Sequence, residues 1–141
     1  MNAKVHDLMI KQVISTVPHK SVGHVKDIMK KNHIKLVPVV NPENELEGIV
    51  SSADLLGVED EKPVSHIMVR DVVSIPAYAD VSEAARAMRN RKIHHLIVTD
   101  EKKLAGIIST FDLLKLVEDK RFVMKNAPTP SKKKKRKSST D

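Results

Sequence analysis

LEGIVSSAD, at residues 46–54, and LAGIISTFD, at residues 104–112, are two versions of one phrase. Both run on into Leu-Leu, and each closes with Ser-x-x-Asp. Working outward from this pair, the match extends back to Val5 and Val64, at an offset of 59 residues that falls to 58 after one residue is dropped near Glu43. Identities fall at Val5/Val64, Met9/Met68, Val13/Val72, Val22/Val81, Met29/Met88, Ile34/Ile93 and Val39/Val98. They continue at Leu46/Leu104, Gly48/Gly106, Ser51/Ser109 and Asp54/Asp112. Most are apolar and in phase, so the two units share one local fold. A unit this short buries too little surface to stand well alone. Two copies packed on a common face solve that, and predict an internal pseudo-twofold.

Within each unit the hydrophobic period changes. DVSEAARAM (80–88) sets Val81, Ala84, Ala85 and Met88 at i, i+3, i+4 and i+7, a helical stripe, and Asp80 with Glu83 fits a capping box. The other copy places Val22, Val25 and Met29 on one face. KLVPVV and HLIVTD are short β-branched runs closing on turn residues, and ELEGIVS and KLAGIIS read as their hairpin partners. TFDLLKLVEDKRFV and the shorter SADLLGVED read as helices. Each unit is therefore β-α-β-β-α, and the fold class is α+β. EDEKP (59–63) reads as the hinge. This divides the chain into a first repeat at 1–60, a second at 61–125 and a tail at 126–141.

At 141 residues the length is that of about one domain. With no Cys or Trp, two Phe and one Tyr, the core is built from Val, Ile, Leu, Met and Ala, and thiolate metal sites and disulfides are excluded. No apolar run approaches the ~20 residues of a membrane span and no leader pattern opens the chain, so a cytoplasmic location is expected and no membrane partner. The net charge of +7 is uneven. SKKKKRKSSTD, the last eleven residues, carries +5 and the rest only +2. Residues 126–141, with Pro128 and Pro130, read as a disordered basic tail.

Ser51 and Ser109 fall at strand-to-helix junctions, with Asp54 and Asp112 three residues on. The first N–H groups of a helix lack internal partners and attract anions. A serine hydroxyl adds a donor, and an ionised Asp accepts two hydrogen bonds from a cis-diol. Together these suit a ribonucleotide, with Gly48 and Gly106 allowing a ring or a backbone close. Ser-x-x-Asp is also a capping box whose side chains only satisfy helix amides. Both readings stand at this point.

RKIHHLIV (91–98) and KNHIKLVPVV (31–40), followed by Gly-Ile-x-Ser-x-x-Asp, resemble a tandem pair of cystathionine-β-synthase (CBS) domains, a Bateman module, over about residues 5–118. The resemblance implies two sheets packed face to face and two clefts that bind adenosine nucleotides or related ligands, with no cofactor required. It implies ribose contacts from Asp54 and Asp112 and phosphate contacts near Ser51 and Ser109. KIHHLIV is similar to a stretch of the γ subunit of the AMP-activated kinase, where His and Arg contact phosphates. His94 and His95 stand in those columns, and the first copy has Lys35 and Leu36 there. Adenine-contacting segments are implied at Ser15 and Thr16 and from Ser74 to Tyr78, taking in Ile75 and Ala77. A homodimer is implied too, touching through VGHVKDIMK and VSEAARAMR.

Other chemistries fit less well. His94 and His95 are adjacent on a strand and face opposite sides, which does not suit one metal ion. No G-x-S-x-G, P-loop or G-x-G-x-x-G pattern is present, so the expectation is a non-catalytic regulatory module. The rival function is association with DNA or RNA through Lys132, Lys133, Lys134, Lys135, Arg136 and Lys137. Such binding acts by counterion release, without aromatic stacking.

Overall fold

The computed structural model describes residues 3–119. The basic tail, the six tail residues named above and the last part of the final predicted helix lie outside the described residues. The elements are α1 (Val5–Leu8), α2 (Val22–Asn32), β1 (Leu36–Val40), β2 (Leu46–Ser51), β3 (Ser74–Pro76), α3 (Val81–Arg91), β4 (His95–Asp100), β5 (Lys103–Ser109) and α4 (Thr110–Asp119). Short 3-10 turns occupy Ser52–Leu55 and Val64–His66. The class is α+β.

Each repeat centres on an antiparallel hairpin. β1 pairs β2 with Leu36 opposite Ser51, and β4 pairs β5 with His95 opposite Ser109. The hairpins bulge at matching places, between Val39 and Val40 and between Val98 and Thr99. The first strand of each repeat is short. In the second repeat it is β3, parallel to β4. In the first it shrinks to one bridge between Thr16 and Val39.

α2 is capped by the Ser21 hydroxyl, which accepts from the His24 N–H at 3.1 Å, and it buries Val22, Val25 and Met29 as expected. α3 departs from its pattern twice. Ala85 is exposed, and Ala87 packs on the core beside Ala84 and Met88. Asp80 makes no capping bond; its carboxylate takes the Lys4 ammonium at 2.7 Å, which raises the lysine pKa.

There are two cores, and each borrows from the other repeat. Val64 and Met68 complete the core of Val22, Val25, Val37, Val39 and Val50. Val5, Leu8 and Met9 pack on the core of Ile75, Ala84, Leu96, Val98 and Ile108. The exchange is symmetric bond for bond. Val5 N–H donates to Ala79 O and Val64 N–H to Lys20 O; Ile10 exchanges bonds with Ile107 and Val69 with Ile49. These pairs obey the sequence offset, so the pseudo-twofold is real. The expected hinge is tied down, because Asp60 and Lys62 carbonyls accept from Gly23 and Val22 and the Asp60 carboxylate holds Lys26.

The opposite faces of the sheets are buried too. Pro38 and Ile97, one repeat offset apart, are fully buried yet belong to neither core. By strand alternation they lie on the face turned away from the helices.

The repeats differ after their second β-hairpin strands. In the second, α4 runs ten residues. In the first, the helix predicted from SADLLGVED is only the turn Ser52–Leu55. The chain leaves the helix at Leu56, whose ψ of 126° is extended, and then turns through Gly57, in the column of Lys115, at a φ of 74°.

Candidate functional site

The Ser-x-x-Asp segments sit where β2 and β5 leave the sheets. In each, the aspartate folds back on its serine. Asp112 Oδ2 accepts from the Ser109 N–H at 2.8 Å and from its hydroxyl at 3.1 Å. Asp54 Oδ2 does the same with Ser51 at 2.8 and 2.9 Å. The Ser109 hydroxyl also accepts from the Asp112 N–H at 3.3 Å. The capping box therefore exists in both copies. The Ser51 and Ser109 hydroxyls donate to their own aspartates and so position the carboxylates. The first amides of these turns are occupied as well: Thr110 N–H donates to His94 O at 3.0 Å and Ser52 N–H to Lys35 O at 2.9 Å.

What the box leaves is the second carboxylate oxygen. Asp112 is 4% exposed, and among the described residues the cation beside its Oδ1 is the Lys115 ammonium, at 3.9 Å. Asp54 is half-buried. Fixed by two hydrogen bonds on one oxygen, each carboxylate can accept on the other without reorganising.

The same bonds bring the pre-strand residues to the box. The His94 carbonyl caps α4 and His95 faces Ser109 across the hairpin, while Lys35 stands beside Ser52 in the first copy. All three are exposed. His95 and Ser109 share the sheet face of Ile97, and Ser74, registered with Ile97, joins them two residues along. Ser15 holds the matching place in the first copy, next to Thr16 on Val39.

Four further residues implied as contacts take these places. Ile75 is in the second core, Ala77 packs against that core, and Thr16, in the column of Ile75, faces the first core with Val39. A first strand alternates faces, so one residue of phase separates Ser15 and Ser74 from Thr16 and Ile75. Thr16 Oγ1 is buried without a hydrogen-bond partner. Tyr78 is exposed beyond the far end of β4, since Ala77 N–H already reaches Thr99 O.

Two residues escaped the sequence reading. After crossing Ile107, the chain runs from Ile10 through Lys11 toward Ser15. After crossing Ile49, it runs from Val69 through Arg70 toward Ser74. Each connector starts at one aspartate's sheet edge and ends at the other's, and both basic residues are exposed. The Met9/Met68 and Val13/Val72 identities bracket them and were the available signal. The glycines serve the same crossings. A Cβ on Gly106 would stand 2.7 Å from Ile10 O, and one on Gly48 3.0 Å from Val69 O, so it is backbone that approaches there. Among the described residues, no three His, Asp or Glu side chains gather in a metal-binding cluster, and no helix is long and apolar enough to cross a membrane.

The chain is 36% identical over 114 residues to inosine-5'-monophosphate dehydrogenase of Methanocaldococcus jannaschii, covering 79% of this chain and 23% of that enzyme. It thus spans about a quarter of the length of that relative. Among solved structures, the CBS domain pair of protein MJ0100, in complex with 5'-methylthioadenosine and S-adenosyl-L-methionine, superposes with a TM-score of 0.74 at 25% identity, over 85% of this chain and 99% of that one. The cytosolic domain of the Mg2+ channel MgtE, in complex with ATP, does so with a TM-score of 0.75 at 26% identity, over 80% of this chain and 48% of that one. The CBS domain model matches residues 5–61 and 64–119. With the doubled phrase, the exchanged segments and this match together, the chain belongs to the CBS domain family, as a tandem pair.

Proposed function

We propose that this CBS pair is a non-catalytic regulatory module that binds an adenosine-type ligand between its repeats. The observation that carries the reading is the half-used carboxylate of Asp112, locked by Ser109 and offering one acceptor oxygen beside His94 and His95. A ribose diol suits that oxygen, and the exposed cations Lys11, Lys35 and Arg70, with the ring N–H groups of His94 and His95, suit phosphate or carboxylate groups. Solved relatives at comparable identity hold 5'-methylthioadenosine, S-adenosylmethionine or ATP, which supports the ligand class. The second repeat is the better equipped, because Asp112 is more buried than Asp54 and heads a full helix. Occupancy would act as a signal by favouring one arrangement of the repeats over another, read by another molecule or within a homodimer.

Thermal unfolding with AMP, ATP, S-adenosylmethionine and free adenine tests this. A ligand at a hundredfold its Kd adds about 2.7 kcal/mol of stability, a rise in Tm of roughly 10 °C for a domain of this size. At least one ribose-bearing ligand should produce it and adenine should not. No shift with any of them would remove the proposal.

A further inference from the structure

Ion pairing sorts the cations of this chain. Among the described residues, the paired ones are Lys4, His6, Lys26 and Lys115, and no arginine is among them. Three of the six arginines in the chain stand together near the end of α3, at Arg86, Arg89 and Arg91, with Lys92 next. All four residues are exposed. Arg86, Arg89 and Lys92 recur at i, i+3 and i+6, so they form one row that rises about 4.5 Å per step, with Arg91 beside it. No acid occurs from Ala84 to Thr99. A helix C-terminus attracts cations only within its last turn, and Arg86 lies too early for that role.

Lys92 carries a cost in stability. It caps α3 at a φ of 57° and a ψ of 43°, the left-handed conformation that glycine takes without strain. His33 repeats this backbone at the end of α2, but there Asp27 holds the column of Arg86 and interrupts the row.

Nothing apolar accompanies the row. Besides these cations α3 exposes Ser82, Glu83, Ala85 and Asn90, and it carries none of the large exposed apolar side chains of the described residues. A helix lying on a membrane and the centre of a protein interface both use such side chains. A second copy meeting the row across a twofold would set like charge on like. The occupant that remains is a polyanion, and the planar forks of arginine match phosphate oxygens two at a time.

We propose that the end of α3 is a docking surface for the phosphodiester backbone of a nucleic acid, in addition to whatever the basic tail binds. Arg86, Arg89, Arg91 and Lys92 each take a phosphate. The helix has no aromatic side chain to stack on a base, so the binding is indifferent to sequence.

Fluorescence anisotropy of a short labelled DNA duplex with the full chain, from about 50 to 200 mM salt, tests this. Each phosphate contact contributes about 0.9 to the slope of log affinity against log salt. Arg86→Gln, Arg89→Gln and Arg91→Gln together should therefore lower the slope by about 2.7 with the tail still in place, and weaken binding at the lowest salt at least tenfold. Lys20→Gln, Lys62→Gln and Lys102→Gln, which remove the same charge at other exposed positions, should change the slope by less than one contact. Lys92→Gly keeps the test open should the arginine variant fail to fold: it should raise Tm by relieving the left-handed strain, and still weaken DNA binding. A residue that merely caps the helix would give the first effect without the second. Equal losses in the two triple variants, no loss in the arginine one, or no binding of DNA at the lowest salt would overturn the surface. So would tighter binding to phosphatidylserine vesicles than to DNA.

Discussion

Asp112→Asn separates the two roles that one carboxylate combines. Asp112 Oδ2 accepts both hydrogens of Ser109, at 2.8 and 3.1 Å, and Oδ1 is the atom left for ligand. An asparagine with its carbonyl in the place of Oδ2 keeps both bonds. Its amide then stands where Oδ1 was, a donor in place of an acceptor. The cap survives, minus the charge–dipole attraction of about 0.3–1 kcal/mol, so Tm should fall by only a few degrees. A ribose hydroxyl loses a charge-assisted hydrogen bond of about 1.5–3 kcal/mol, which is roughly tenfold to 150-fold in Kd. Lys115 adds little, since its ammonium is exposed and stands 3.9 Å from Oδ1, beyond hydrogen-bond distance. Titration calorimetry with the strongest adenosine ligand, beside thermal unfolding, reads both effects. Asp112→Ala should lose the same affinity and a further ~0.5–2 kcal/mol of stability from the missing cap. If Asp112→Asn binds like the wild type, the carboxylate is a cap and nothing more.

Three further variants probe the frame around the site. Thr16→Val removes a buried hydroxyl that has no partner and should raise stability by about 1 kcal/mol in urea unfolding; a loss would mean the hydroxyl is satisfied in solution. Gly106→Ala drives a Cβ to 2.7 Å from Ile10 O, and overpacking against backbone should lower stability by about 1–3 kcal/mol; an unchanged midpoint would deny the close crossing. Glu101 and Lys102 turn the β4–β5 hairpin with φ of 50° and 72°, conformations that suit Asn-Gly. Replacing them with that pair should stabilise by about 1–2 kcal/mol, and destabilisation would contradict the turn geometry.

The doubled phrase, both hairpins and the apolar faces of α2 and α3 were legible because local period carries them. HLIVTD and KLAGIIS coincide with β4 and β5 to the residue. The exchange of Val5–Met9 with Val64–Met68 was not legible. It joins residues far apart in sequence, and no window of periodicity reports which core a short segment joins. The same limit hid Lys11 and Arg70. The face that Thr16 and Ile75 take was not legible either, since register alone supplies strand phase. The bonds of Ser51 and Ser109 to Asp54 and Asp112 were legible only as one of two alternatives, because capping and ligand binding use the same residues at the same spacing. The shortened helix after Ser52 had a signal in Gly57, where the second repeat has Lys115.

The central claim is that an adenosine ligand binds between the repeats. Its most direct test is calorimetric titration of the full chain, stripped of any co-purified ligand, with AMP, ATP, S-adenosylmethionine and 5'-methylthioadenosine in turn. The account predicts saturable micromolar binding of at least one of them, sharply weakened in Asp112→Asn. Absence of binding by all four to a folded protein would contradict it and return Ser-x-x-Asp to its capping role alone.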